Sequence, residues 1–114
     1  MSDDLHLEEK AIEAVRFYRE ALAAAENSET AQALAHRVLM NMLPELERAV
    51  LEDRPPSMRS KLFDAGAKAV ARLNEARQVL NEATARLEGA RQALAALEVQ
   101  LGYIPDVRQE IELK

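Results

Sequence analysis

Imidazoles, hydroxyls and carboxylates are the groups that could move protons, hold metal or attack a carbonyl here, because the chain contains no cysteine. Its two histidines are His6 and His36. Zinc takes three or four nitrogen, sulfur or carboxylate ligands, and neither histidine has a second one at ligand spacing. The glutamates do not form the Glu-x-x-His pairs of carboxylate-bridged di-iron bundles. A metal site and a cofactor are therefore not expected, and the acids read as solvated helix faces.

Nucleophilic catalysis needs a hydroxyl or thiol with a base and an orienting group. The few hydroxyls fall at helix caps or on helix surfaces, with Ser57 read as a cap. Three glycines in the whole chain leave no glycine-rich loop to cradle phosphate. The chain is not expected to be an enzyme.

Anion binding has a better basis, because Arg54, Arg59, Lys61, Lys68 and Arg72 crowd one stretch, followed by Arg77. These five are the candidate anion contacts, and a nucleic-acid-binding regulator is the alternative function they suggest. Against it, Asp64 and Glu75 interleave, aromatics make up only 4%, and the net charge is −5. Nucleic acid recognition draws on a continuous basic surface and on stacking aromatics. Nucleic acid is therefore not the favoured partner.

These residues must be positioned by helices. Hydrophobic residues make up 48% of the 114 residues, and alanine and leucine dominate among them, which favours helix over strand. Absence of cysteine is compatible with a reducing compartment. The acidic start, Met1 to Glu9, lacks the basic flank and apolar run of a signal peptide, and no stretch reaches about 18 consecutive apolar residues. A cytoplasmic protein with no membrane span is the expectation. The length suits a single domain over residues 1–114.

Apolar residues at Leu5, Ile12, Val15, Tyr18, Leu22 and Ala25 predict a first helix over residues 4–26. Asn27 and Ser28 offer an N-cap, with Glu29 in the first turn. A second helix then follows to about residue 52 through Ala31, Leu34, Ala35, Val38, Met42, Leu46 and Ala49. Pro44 predicts a kink or break near residues 41–44. Arg54, Pro55, Pro56 and Ser57 mark the clearest turn.

From residue 58 to 101 a third pattern runs without proline, about 65 Å of helix at about 1.5 Å per residue. Its seam steps by four and three through Leu62, Gly66, Ala69, Leu73, Ala76, Leu80, Ala83, Leu87, Ala90, Leu94, Leu97 and Leu101. Leucine alternates with small residues, which lets another helix approach closely. Gly66 lies on the seam and Gly89 outside it. Gly102 predicts a left-handed C′ residue, and Pro105 bars continuation. In the tail over residues 102–114, Ile104, Val107 and Ile111 fit a helix face, while Val107, Ile111 and Leu113 fit a strand.

Charge divides the chain. Residues 1–53 hold twelve acids and five bases, and residues 54–101 five acids and eight bases. Opposite signs suggest that the two parts face one another, within a chain or between chains.

The stretch Ala11, Ile12, Glu13, Ala14, Val15, Arg16, Phe17, Tyr18, Arg19, Glu20, Ala21, Leu22 resembles the second helix of a tetratricopeptide repeat. It spans about a dozen residues, and no second copy follows at the 34-residue period such repeats need.

The sequence thus predicts an all-α protein: an N-terminal helical hairpin over residues 4–53, packed on one long coiled-coil-like helix over residues 58–101, with a short tail. Such a hairpin covers only the beginning of the long helix. Leu80, Ala83, Leu87, Ala90, Leu94, Leu97 and Leu101 are left as the candidate protein interface. The expected function is non-enzymatic protein–protein interaction, as an adaptor, assembly or inhibitor protein, with a homodimer formed through that interface and a further protein partner of unknown identity.

Overall fold

The structure, a computed structural model, describes residues 2–106. Among them the chain is all-α, with two helices: α1 (Ser2–Leu51) and α2 (Pro56–Leu101). It divides into two compact units. One is Glu26–Glu82, a hairpin made of the second half of α1, the turn and the first half of α2. The other combines residues up to Ala25 with those from Ala83 onward, so the start of α1 lies beside the end of α2.

The expected helix start at residues 27–28 is corrected, because α1 runs through them without interruption. The N-terminal hairpin over residues 4–53 is therefore a single helix. Residues 11, 14, 18, 21, 25, 28, 32, 35, 39, 42, 46 and 49 are all buried or half-buried, a step of three and four without a slip. Ser28 and Gln32 occupy seam positions in that series. Ser28 is only 9% exposed, small enough to sit where alanine sits elsewhere. Thr30 Oγ1 donates to the Glu26 carbonyl at 3.1 Å, the bond a hydroxyl makes inside a helix. Asn and Ser in a helix interior each cost a few tenths of a kcal/mol relative to Ala, less than the packing a break would forfeit.

Pro44 likewise does not end the helix. It removes one donor to the Met40 carbonyl, but it is exposed, while Met42, Leu46 and Ala49 around it keep to the seam. The apolar positions Leu5, Ala31, Leu34 and Val38, expected on packing faces, are exposed.

The turn is built as the sequence suggests, with one change of cap. Arg54 N donates to the Ala49 carbonyl at 3.3 Å and Asp53 N to the Val50 carbonyl at 3.4 Å. With Asp53 at φ 50°, these bonds form a Schellman motif that satisfies the last carbonyls of α1. Ser57 lies inside the first turn of α2 rather than at its cap. Pro56 opens the helix, where its missing N–H is no loss, and the Pro55 carbonyl accepts from Arg59 N at 3.1 Å. At the other end, Gly102 takes φ 88° and donates to the Glu98 carbonyl at 2.7 Å. The helix ends there as expected, and Leu73, Leu94 and Leu101 share one continuous α2. The tail readings that rest on Val107, Ile111 and Leu113 lie outside the described residues.

Along α2 every seam position from Leu62 to Leu101 is buried or half-buried. Gly66 sits beneath Leu46, whose Cδ1 would lie 3.1 Å from a Cβ there. In the other unit Tyr103 Oη donates to Glu8 Oε2 at 2.8 Å, tying the end of α2 to the start of α1. The opposite charges of the two segments do not become a row of bridges. The ion pairs found among the described residues are Arg54 with Glu52, Arg59 with Asp53 at 3.9 Å, and Arg91 with Glu88. Each is local to the turn or to one helix. The seam, not charge pairing, joins the segments.

Candidate functional site

The candidate interface on α2 does not stand open. Ala83 and Ala90 are 5% and 2% exposed within the single chain, and Leu80, Leu87, Leu94, Leu97 and Leu101 are half-buried. Leu80 belongs to the hairpin unit, whereas in the unit that holds Ala83 to Leu101 the segment available to cover these residues is the start of α1. The expectation that the far end of α2 faces water failed because α1 begins at residue 2 and does not turn back at residue 27.

The five candidate anion contacts are spread over several environments. Arg54 is engaged by Glu52 and Arg59 by Asp53. Among the described residues, Arg59 Nε is buried without a hydrogen-bond partner. Lys61 and Lys68 are exposed, seven residues apart on the outer side of α2, but the next position in that row is Glu75. Arg72 lies beside Glu75 on one flank of the hairpin. The basic row is therefore short.

The surface of the Glu26–Glu82 hairpin is more informative than its charges. A heptad register sets two flanks beside the seam, and two hollows identify them. On one flank a groove of about 420 Å3 is lined by Ser28, Ala31, Ala35, Arg72, Ala76 and Val79, with Asn27 and Glu75 at its margin. Four of its lining side chains, Ser28, Ala31, Ala35 and Ala76, are small, and Leu34 and Val38 are exposed on the same side of α1. On the opposite flank a hollow of about 640 Å3 is lined by Gln32, Ala33, His36, Arg37, Met40 and Arg77.

That second hollow and the contact of Leu46 on Gly66 together show which residues face one another across the hairpin. His36 of α1 and Arg77 of α2 both line the hollow, and the register set by Leu46 over Gly66 brings the two level. Stepping one heptad toward the turn on each antiparallel helix puts Leu43 level with Val70, and a second step puts Val50 level with Phe63. All four are exposed: Leu43 44%, Val70 44%, Val50 53% and Phe63 52%. Met40, also exposed, borders the row. The result is an apolar ladder on one flank, basic at its far end through His36, Arg37 and Arg77. Nothing in the spacing of either helix alone connects these four residues, because their alignment depends on the register between helices.

Among the described residues, Glu88 and Arg91 form the one pair with a marked electrostatic effect. Arg91 donates through Nε to Glu88 Oε2 at 3.0 Å and through Nη2 to Oε1. Those hydrogen bonds hold the Glu88 carboxyl below the usual carboxylate range and raise Arg91 in turn. Among the described residues, no three of His, Asp and Glu gather in a way that could hold a metal ion. No helix there is long and apolar enough to cross a membrane. Comparison of the chain with protein-family models, curated proteins and solved structures finds no match.

Proposed function

We propose that this chain is a non-enzymatic interaction protein whose hairpin offers its flanks to further helices, as an adaptor, assembly or inhibitor protein of the cytoplasm. One observation carries this reading: the seam buries mainly alanine. Of the nine buried hydrophobic residues found among the described ones, seven are alanine, and the others are Val15 and Leu73. Large aliphatic and aromatic side chains stay outside, among them Leu34, Leu43, Val50, Phe63 and Val70. Full burial of such a side chain is worth about 1.5–3 kcal/mol. Two helices can each bury only one stripe, and helical domains complete their cores by adding a third or fourth helix.

The expected homodimer through Leu80 to Leu101 would have to displace the start of α1 from the seam. Docking on the flanks requires no such opening. The test is differential capture from the source organism with three baits: the wild type, Leu34→Glu/Val38→Glu, and Leu43→Glu/Val70→Glu. The reading predicts a stoichiometric protein, or the chain itself, retained by the wild type and lost with one of the flank variants. Equal retention by all three baits contradicts it.

A further inference from the structure

We infer that the occupant of the ladder flank is a second copy of this chain, lying antiparallel to the first; this rests on the reading of the flanks as docking faces. Three observations favour it. The first is apolar character, since Leu43, Val70, Val50 and Phe63 are exposed at successive levels, with Glu47 beside Leu43 and Val50 and with Arg59 and Asp64 bordering Phe63. An isologous contact sets a patch against itself, and these four side chains bring no like charges together.

The second is charge placement. The far end of the flank carries His36, Arg37 and Arg77, with no acid lining their hollow, while Glu47 lies on the same flank toward the turn. A twofold axis near Leu43 and Val70 sets the basic end of each copy over the partner copy's Glu47. A parallel second copy would instead stack the arginines on one another, so complementarity selects the antiparallel arrangement.

The third is area. Residues 26–51 of α1 rise about 39 Å at 1.5 Å per residue. Two helices about 10 Å apart present a face about 20 Å wide, giving about 780 Å2 per copy. A stable specific interface buries about 800 Å2 per partner, so the flank is large enough to hold a dimer.

The experiment is sedimentation equilibrium of the full chain from about 1 to 200 µM, with helicity followed by circular dichroism. The wild type should approach twice its 12.7 kDa. Leu43→Glu/Val70→Glu, altered at positions already exposed in the single chain, should stay helical and self-associate at least about 30-fold more weakly. Leu34→Glu/Val38→Glu, on the opposite flank, should remain dimeric. As a milder probe, Glu47→Arg should weaken the dimer, and adding Arg37→Glu and Arg77→Glu should restore it. A wild type that is monomeric at the highest concentration overturns the inference, as does a dimer broken by the Leu34/Val38 variant and not by the Leu43/Val70 one. If that monomer still captures a foreign protein that the flank variants lose, docking on the flanks stands and only the second copy falls.

Discussion

Adding one methyl group at Gly66 measures how closely α1 and α2 meet in the hairpin. A Cβ there would lie 3.1 Å from Leu46 Cδ1 and 3.9 Å from Cδ2, against about 3.5–4.0 Å for relaxed carbon contacts. Gly→Ala in a helix interior is otherwise worth about 1 kcal/mol. At Gly89 nothing lies within 4 Å of the added atom. Gly89→Ala should therefore gain that full amount and raise Tm by about 4 °C. At Gly66 the same gain is offset, because Leu46 must move by a few tenths of an ångström. Leu46 is half-buried and can yield, at about 0.5–1.5 kcal/mol for an off-rotamer side chain. The net effect of Gly66→Ala should fall within about 0.5 kcal/mol of zero. In a Leu46→Ala background the conflict disappears, and Gly66→Ala should recover about 1 kcal/mol, a coupling of about 0.5–1.5 kcal/mol. Urea unfolding followed by circular dichroism, with unchanged m-values, gives all four corners of the cycle. Zero coupling, with Gly66→Ala as stabilising as Gly89→Ala, would falsify the close approach of Leu46 to Gly66 and the register built on it.

Leu73 is the largest of the buried side chains, 4% exposed, so Leu73→Ala should cost about 2–4 kcal/mol in the same unfolding assay; a cost below about 1 kcal/mol would mean the seam is not packed there. Asn27→Pro should destabilise by about 3 kcal/mol or more if α1 is continuous, whereas a chain with a turn at that point would accept proline with little change in its melt. The Glu88 carboxyl, held low by Arg91, favours the folded state at pH values above its unfolded pKa, and that contribution is lost as pH falls through the lowered folded value. NMR titration should find Glu88 below the usual range of a glutamate carboxyl, and Arg91→Gln should return it to that range; an unmoved Glu88 contradicts the assignment.

The seam of α2 was legible because it repeats a leucine-and-small pattern that no proline or polar residue interrupts, and every position in it is withdrawn from solvent. Gly102 was legible for a local reason, since a left-handed residue at a helix end favours glycine whatever surrounds it. The continuity of α1 was not. Asn27 and Ser28 carry strong local preference for a cap, and that preference is overridden by a seam in which Ser28 serves as a small residue. Of the kink or break expected near Pro44, the break does not occur, because a proline on the outer side of a long helix costs one bond while the seam beneath it holds. From the helix start misplaced at residues 27 and 28 followed the expectation that Leu87 to Leu101 face water. A first helix turning back at residue 27 would have left Leu87 to Leu101 uncovered, and a continuous one sets its start beside them. The ladder of Leu43, Val70, Val50 and Phe63 needed the register between two helices, which is set by contacts such as that of Leu46 on Gly66 and is not written in either helix alone.

The cover over the end of α2, and with it the preference for the hairpin flanks over Leu87 to Leu101 as the docking face, depends on α1 being one helix, and residue-resolved amide hydrogen exchange across residues 21–35 tests that directly. Asn27, Ser28, Glu29 and Thr30 should exchange as slowly as Ala21 and Ala25, since their amides are bonded inside the helix. Rapid exchange confined to residues 27–30, with slow exchange on both sides, would restore a turn at that point, uncover the end of α2 and return the interface to Leu80 through Leu101.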